Sequence, residues 1–135
     1  LVLSTALFLL FPQQNTLTLP WNLAGLILFI PGFFLIYRSW QIFMRHDTPE
    51  NYVDRPRTVV SDGMYRYSRN PMYVGSVVAS VGLCIMLMGN LVSFLGPVFL
   101  FLVLNFYFIP YEERQMTGIF GDTYWEYMKN VRRWI

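Results

Sequence analysis

The sequence predicts an all-α, polytopic membrane protein with about four transmembrane helices, the first of them truncated, and a C-terminal amphipathic helix at the interface. Hydrophobic residues make up 55% of the 135 residues and charged residues only 13%, about half the charged share of a soluble domain. The charges fall into two blocks, and ranges 1–37 and 70–111 contain none. A soluble globule needs charges on every face, and a disordered chain lacks this apolar content. We therefore expect one membrane-embedded domain over 1–135.

The uncharged stretches supply the predicted spans, because crossing a bilayer takes roughly 20 apolar residues in a helix. Range 1–11 is apolar but too short to cross alone, so we expect the start of this helix to precede it; a cleaved signal peptide is the competing interpretation. Range 21–43 supplies a full span, 72–88 a slightly short one and 91–111 another full one. Gly89-Asn90 predicts a tight turn between the last two helices.

The connections determine the predicted topology. The loop at 12–20 is polar but uncharged, whereas 44–70 and 112–135 contain nearly all of the charges. With the spans above, both charged blocks lie on one side of the membrane. Basic residues mark the cytoplasmic side, so we expect these two blocks to face the cytosol.

Several classes of function are excluded by residue counts. The chain has one cysteine, Cys84, and one histidine, His46, so neither a disulfide framework nor a histidine-cluster metal site can form within it. We predict no metal. A net charge of +2 is too small to indicate a nucleic-acid-binding protein.

Some residues within the spans are unusual for a plain lipid-facing helix. Pro31-Gly32 predicts a kink. Gly75 and Ala79 are small residues four apart, which favours close helix packing, although they also leave room for a ligand. Asn105 is a polar amide deep in the last span, and we expect it to bond a neighbouring helix; a substrate contact is the alternative.

The segment from Gly63 to Gly75 predicts a loop entering a membrane helix and reads GMYRYSRNPMYVG. Pro71 suits a first helical turn, and Asn70 before it is a good cap. The start of a helix favours an anion, and Arg69 adds a positive charge there. Carboxylate or phosphate binding is therefore plausible; the alternative is that Arg66 and Arg69 only anchor the chain to lipid phosphates.

Glu112-Glu113 follows the last predicted span directly. Two adjacent acids at a helix C-terminus repel each other and oppose the helix dipole, so a cation must compensate them. That cation is either an arginine of this chain or a cationic ligand.

The C-terminal residues predict an amphipathic helix at the cytosolic interface. Asp122 is a natural cap after Gly121, and aromatic and aliphatic residues recur at helical spacing at Tyr124, Tyr127, Val131 and Trp134.

Together, the GMYRYSRNPMYVG segment, the helical hairpin, the acid pair and the terminal FGDTYWEYMKNVRRWI resemble the isoprenylcysteine carboxyl methyltransferase and phospholipid methyltransferase group of membrane enzymes. The resemblance extends over about 21–135, is strongest after Val59, and is closest to the short bacterial members, which implies a bacterial inner-membrane protein.

The resemblance implies S-adenosylmethionine as methyl donor, bound at the cytosolic helix ends under the C-terminal segment. The implied donor-binding residues are Tyr65, Arg69, Asn70, Pro71, Tyr73, Gly75, Glu112, Glu113 and Tyr124. Many members have histidine where this chain has Asn70, and an asparagine cannot act as a base.

The expected reaction is an in-line methyl transfer to a lipophilic or small acceptor at the membrane, among surrounding lipids. A carboxylate acceptor needs no general base, whereas an amine or thiol must first lose a proton. Our catalytic candidates are Arg69, to hold an acceptor anion, and Glu113 and His46 as bases. A merely solvated His46 is the alternative.

Two other functions stay open. Membrane sterol reductases, which bind NADPH, share a similar helix entry and tail but are much longer. A small membrane scaffold whose acids and arginines only neutralise each other is the non-enzymatic possibility. The chain lacks a glycine-rich strand–turn–helix motif, which excludes the soluble Rossmann methyltransferase fold.

Overall fold

The computed structural model describes residues 2–10, 20–46, 58–87 and 91–135, and all regular structure in these ranges is helical. This confirms the predicted all-α class. The α-helices are α1 (Val2–Leu10), α2 (Leu26–His46), α3 (Pro71–Leu87), α4 (Leu95–Val103), α5 (Ile109–Phe120) and α6 (Asp122–Asn130).

Two of the described helical stretches are long and apolar enough to cross a membrane. A 3₁₀ turn at Trp21–Gly25 leads into α2 and makes a 26-residue stretch, and Leu91–Phe120 forms a 30-residue one. α3 is apolar but shorter, at 17 residues. The predicted turn at Gly89-Asn90 and most of the 12–20 loop lie outside the described residues.

α2 and α3 pack with their backbones almost in contact. A Cβ atom added to Gly32 would lie 2.6 Å from the backbone nitrogen of Ala79, and one added to Gly75 would lie 2.6 Å from the Gly32 carbonyl oxygen. Only small residues permit so close an approach in lipid. The predicted packing role of the small residues in α3 is therefore confirmed, and α2 itself runs through Pro31 to His46.

The second long helix changes its winding along its length. It begins as a 3₁₀ turn at Leu91–Phe94, becomes α4, passes through a π-helical segment at Leu104–Phe108 and continues as α5. The expectation that Glu112-Glu113 lies at a helix C-terminus is wrong, because the helix runs on to Phe120. The acid pair lies in the first turns of α5, so the argument from the dipole at a helix C-terminus does not apply to it.

α6 is shorter than the spacing of its aromatic residues predicts. Gly121 forms the break with φ of +52°, and Asp122 is the first residue of the helix rather than its cap, since no side chain caps this end. Val131 is extended, with φ −122° and ψ 133°, so Trp134 lies beyond the helix. The last five residues, 131–135, form a C-terminal segment that returns to the start of α3, where its carbonyl groups accept hydrogen bonds.

Candidate functional site

An ion triad joins the two charged blocks of the sequence. Arg69 Nη1 lies 3.2 Å from Glu113 Oε1, and Arg133 Nη2 lies 2.7 Å from Glu113 Oε2. The Arg69 and Glu113 side chains are only 11% and 12% exposed, whereas Arg133 is 37% exposed. Two arginines of the chain therefore compensate the charge of Glu113.

The C-terminal segment is bonded to the entry of α3 through its backbone. The Arg69 N–H donates to the Arg132 carbonyl at 2.9 Å, and the Asn70 side-chain amide donates to the Arg133 carbonyl at 3.0 Å. Asn70 does lie where a cap belongs, and its own backbone carbonyl accepts two amide hydrogens from the first turn of α3. The Asn70 side chain therefore holds the C-terminal segment in place. An amide cannot accept a proton as a general base.

The end of this segment is held at the π-helical segment. The Trp134 indole donates from Nε1 to Asn105 Oδ1 at 2.9 Å, and its ring lies 4.8 Å from that of Phe101, centroid to centroid. The prediction that Asn105 bonds a neighbouring helix is wrong: its partner is in the C-terminal segment. Single π-helical turns within α-helices are frequently found at functional sites.

A cavity of about 450 Å³ lies beside the ion triad, within the usual range of small-molecule sites. It brings together eight of the predicted donor-binding residues, namely Tyr65, Arg69, Asn70, Pro71, Tyr73, Glu112, Glu113 and Tyr124. They come from the entry of α3, from α5 and from α6, and the lining also includes residues of α2 and of the loop before α3.

Two predicted residues do not line this cavity. Gly75 faces α2, where an added Cβ would meet the Gly32 carbonyl oxygen. His46 lies exposed at the end of α2, with Nδ1 3.0 Å from the Ile42 carbonyl oxygen and Nε2 3.5 Å from Asp62 Oδ1. The structure therefore separates both residues from the group around Arg69.

Polar atoms in the cavity are only partly paired. Tyr73 donates its phenol hydrogen to Glu112 Oε1 at 2.5 Å, and Tyr127 donates to the Tyr65 carbonyl at 2.8 Å. The hydroxyl of Tyr65 and Nε of Arg69 are buried and have no hydrogen-bond partner within the described residues. Buried polar atoms are nearly always paired, so these two are candidates for ligand contacts.

The tyrosines around the cavity are neutral hydrogen-bonding groups. Burial, and secondarily the Glu112 charge, raise the pKa of Tyr65 well above its usual value. Burial, followed by the Glu113 charge, raises the pKa of Tyr124 to about 12. Both phenols keep their protons at physiological pH, so they donate hydrogen bonds and add no charge.

Sequence reasoning missed several residues of the cavity wall. Tyr127 shares a helix face with Tyr124, so the spacing within α6 indicated it. The others are apolar or amide side chains with no motif of their own: Phe43, Val59, Val60, Met72, Gln115 and Met116. Among the described residues, no three His, Cys, Asp or Glu side chains come together as metal ligands would.

Comparisons with known proteins show which family the chain resembles. The family model for phospholipid methyltransferase matches residues 21–123. The chain is 38% identical over 80 residues to a protein-S-isoprenylcysteine O-methyltransferase of Schizosaccharomyces pombe, over 58% of this chain and 33% of that protein. It is 40% identical over 75 residues to protein-S-isoprenylcysteine O-methyltransferase A of Arabidopsis thaliana, over 54% of this chain and 36% of that protein.

A third relative matches over fewer residues, but these make up most of that protein's length. An uncharacterized protein of Haemophilus influenzae is 40% identical over 48 residues, which is 36% of this chain and 76% of that protein. The chain spans about a third of the length of the two methyltransferases that it matches. No solved structure matches it.

Proposed function

Because this chain belongs to the phospholipid methyltransferase family, we propose that it is an S-adenosylmethionine-dependent methyltransferase whose site opens at the cytosolic face of the membrane. One observation carries the proposal: residues of both charged blocks meet around one cavity, with Arg69 and Glu113 in direct contact. A bacterial inner-membrane location and four spans belong to the same proposal.

The residues around the cavity fit the chemistry of this donor, which carries a carboxylate, two cationic groups and two ribose hydroxyls. Arg69 has a buried Nε that has no partner among the described residues, and this atom is suited to the carboxylate. Glu112 is exposed and uses one oxygen for the Tyr73 phenol, so it can accept from the hydroxyls or the ammonium group. Aromatic faces such as those of Tyr65 and Tyr124 attract cations.

When bound, S-adenosylmethionine would supply an activated methyl group, which passes to the acceptor nucleophile in line as its bond to sulfur breaks and the neutral thioether leaves. The protein then contributes mainly position and exclusion of water. In our proposal, the ion triad and the C-terminal segment hold the cavity wall in place, and the neutral phenols donate hydrogen bonds. Glu113 has both oxygens bonded to arginines, so it stabilises the wall and is a poor base.

We propose a lipophilic or small acceptor. The two named relatives are O-methyltransferases of protein-S-isoprenylcysteine, and the cavity here has an apolar wall that includes Phe43, Val60 and Met116. Such a wall suits the hydrocarbon part of an acceptor, which would enter from the side of the lipid. A carboxylate acceptor requires no base from the protein.

Calorimetry on the full chain purified in detergent tests the donor assignment. We expect saturable binding of S-adenosylmethionine, and we expect Glu112→Gln to weaken it by about tenfold, the effect of roughly 1.4 kcal/mol, with the fold unchanged. Glu126→Gln is the matched control, because Glu126 is an exposed acid of α6 outside the cavity lining. No detectable binding at millimolar donor would overturn the proposal. Equal affinity in the two variants would remove Glu112 from the donor site.

A further inference from the structure

A second concave surface adjoins the cavity at the ion triad. This groove, of about 680 Å³, shares only Arg69 and Glu113 with the cavity. Its other walls are Pro110, Arg114 and Thr117 of α5, Trp125 and Met128 of α6, and Arg133 of the C-terminal segment. Of these other walls, the function proposed above uses only Arg133, as a member of the ion triad.

The groove carries an excess of positive charge. Among the residues that the structure describes, three arginines line it against a single acid, Glu113, and both oxygens of that acid are already bonded to Arg69 and Arg133. Arg114 donates from Nε to the Pro110 carbonyl at 3.1 Å, which holds its guanidinium group on the α5 wall. One carboxylate cannot neutralise three guanidinium groups, so an oxyanion in the groove would be attracted and would receive charge-assisted hydrogen bonds.

The rest of the groove is apolar and lies where lipid is expected. Trp125 is 53% exposed, and Met128 and Pro110 line the groove beside it. Pro110 is in the first turn of α5, which follows the apolar α4 through the π-helical segment at Leu104–Phe108. An exposed indole next to basic groups at the end of a membrane helix is typical of the lipid headgroup level.

We propose that this groove binds the phosphate-bearing headgroup of an anionic membrane phospholipid, with Arg114 and Arg133 around the phosphate and Trp125 against the glycerol and upper acyl chain. Charge complementarity selects an anionic headgroup over a zwitterionic one. The exposed apolar wall favours a lipid over a free phosphate. The proposal does not depend on methyl transfer, because Arg114, Arg133 and Trp125, which contact the lipid, are not proposed to contact the methyl donor.

Lipid titration of the delipidated full chain, followed by native mass spectrometry, tests the site. Phosphatidylglycerol should bind about tenfold more tightly than phosphatidylcholine with the same acyl chains, and glycerol 3-phosphate should not bind measurably. Arg114→Gln should weaken phosphatidylglycerol binding about fivefold, the factor for about 1 kcal/mol per basic residue at an anionic surface. Arg114→Lys should retain most of it.

Lys129→Gln is the matched control, since Lys129 is an exposed basic residue of α6 outside the groove lining. An unchanged affinity in this variant supports a defined site. Three results would overturn the proposal: equal binding of the two lipids, equal losses in Lys129→Gln and Arg114→Gln, or glycerol 3-phosphate binding as tightly as the lipid.

Discussion

Replacing Glu113 with glutamine removes the only negative charge of the ion triad while preserving the shape of the side chain. Arg69, which is 11% exposed, would keep its positive charge in a poorly solvated place, and Arg133 would add a second one beside it. Breaking a buried ion pair by removing one partner costs about 3–5 kcal/mol. Because Arg133 is 37% exposed and partly solvated, we expect the lower end of that range, about 3 kcal/mol of unfolding free energy.

Unfolding in mixed micelles, followed by tryptophan fluorescence during titration with a denaturing detergent, measures this loss. Arg133→Gln keeps the Arg69–Glu113 pair and should cost only about 1 kcal/mol, as for a partly exposed pair. Glu112→Gln, which changes the exposed neighbouring acid, should cost about 1 kcal/mol or less. A Glu113→Gln loss no larger than that of Glu112→Gln would refute the assignment of Glu113 as the compensated, structural acid.

Three further predictions use the same unfolding assay. Gly32→Ala should destabilise the protein by about 1–3 kcal/mol, because the new methyl group meets the backbone of α3. Gly118→Ala is the control: its methyl group meets nothing within 4 Å, and it should stabilise α5 by about 0.5–1 kcal/mol. Trp134→Phe keeps an aromatic ring but loses the hydrogen bond to Asn105, and it should cost about 1 kcal/mol; an unchanged stability would show that this bond does not hold the C-terminal segment. Burial raises the pKa of Tyr124 to about 12 from about 10 in the unfolded chain. The contribution of the neutral phenol to the unfolding free energy is therefore complete below pH 10 and is lost as pH rises to 12. Tyr124→Phe should make the alkaline loss of stability less steep, and an identical pH profile would contradict the burial of the phenol.

The sequence predicts the part of the site that lies within one short motif. The residues from Tyr65 to Tyr73 form one short segment whose helix entry was evident from Asn70-Pro71. The cavity lining includes Tyr65 and residues 69–73 of this segment, together with Glu112 and Glu113. His46 is a base candidate because histidine titrates near neutral pH, and Gly75 belongs to the family motif; the structure places both outside the cavity lining.

The sequence mispredicts the helix ends and the partner of Asn105, which depend on backbone bonding and on contacts between residues far apart in the chain. The last long helix continues to Phe120, although apolar character stops near Tyr111, because a helix ends where its backbone bonding ends and not where its hydrophobicity does. α6 stops at Asn130 although its aromatic spacing continues, since the next residues bond to the entry of α3 instead. The partner of Asn105 is for the same reason Trp134, which is far along the chain.

The sequence by itself determined that the chain is helical, apolar and charged only in two blocks, because these properties follow from residue composition and its order along the chain. Only the tertiary structure decided how the blocks meet. Glu113 faces two arginines while its neighbour Glu112 faces a phenol in the cavity, although the two acids are chemically alike. Which acid is neutralised and which stays available to a ligand depends on how α3, α5 and the C-terminal segment pack, and pairwise distances of this kind cannot be read from sequence order.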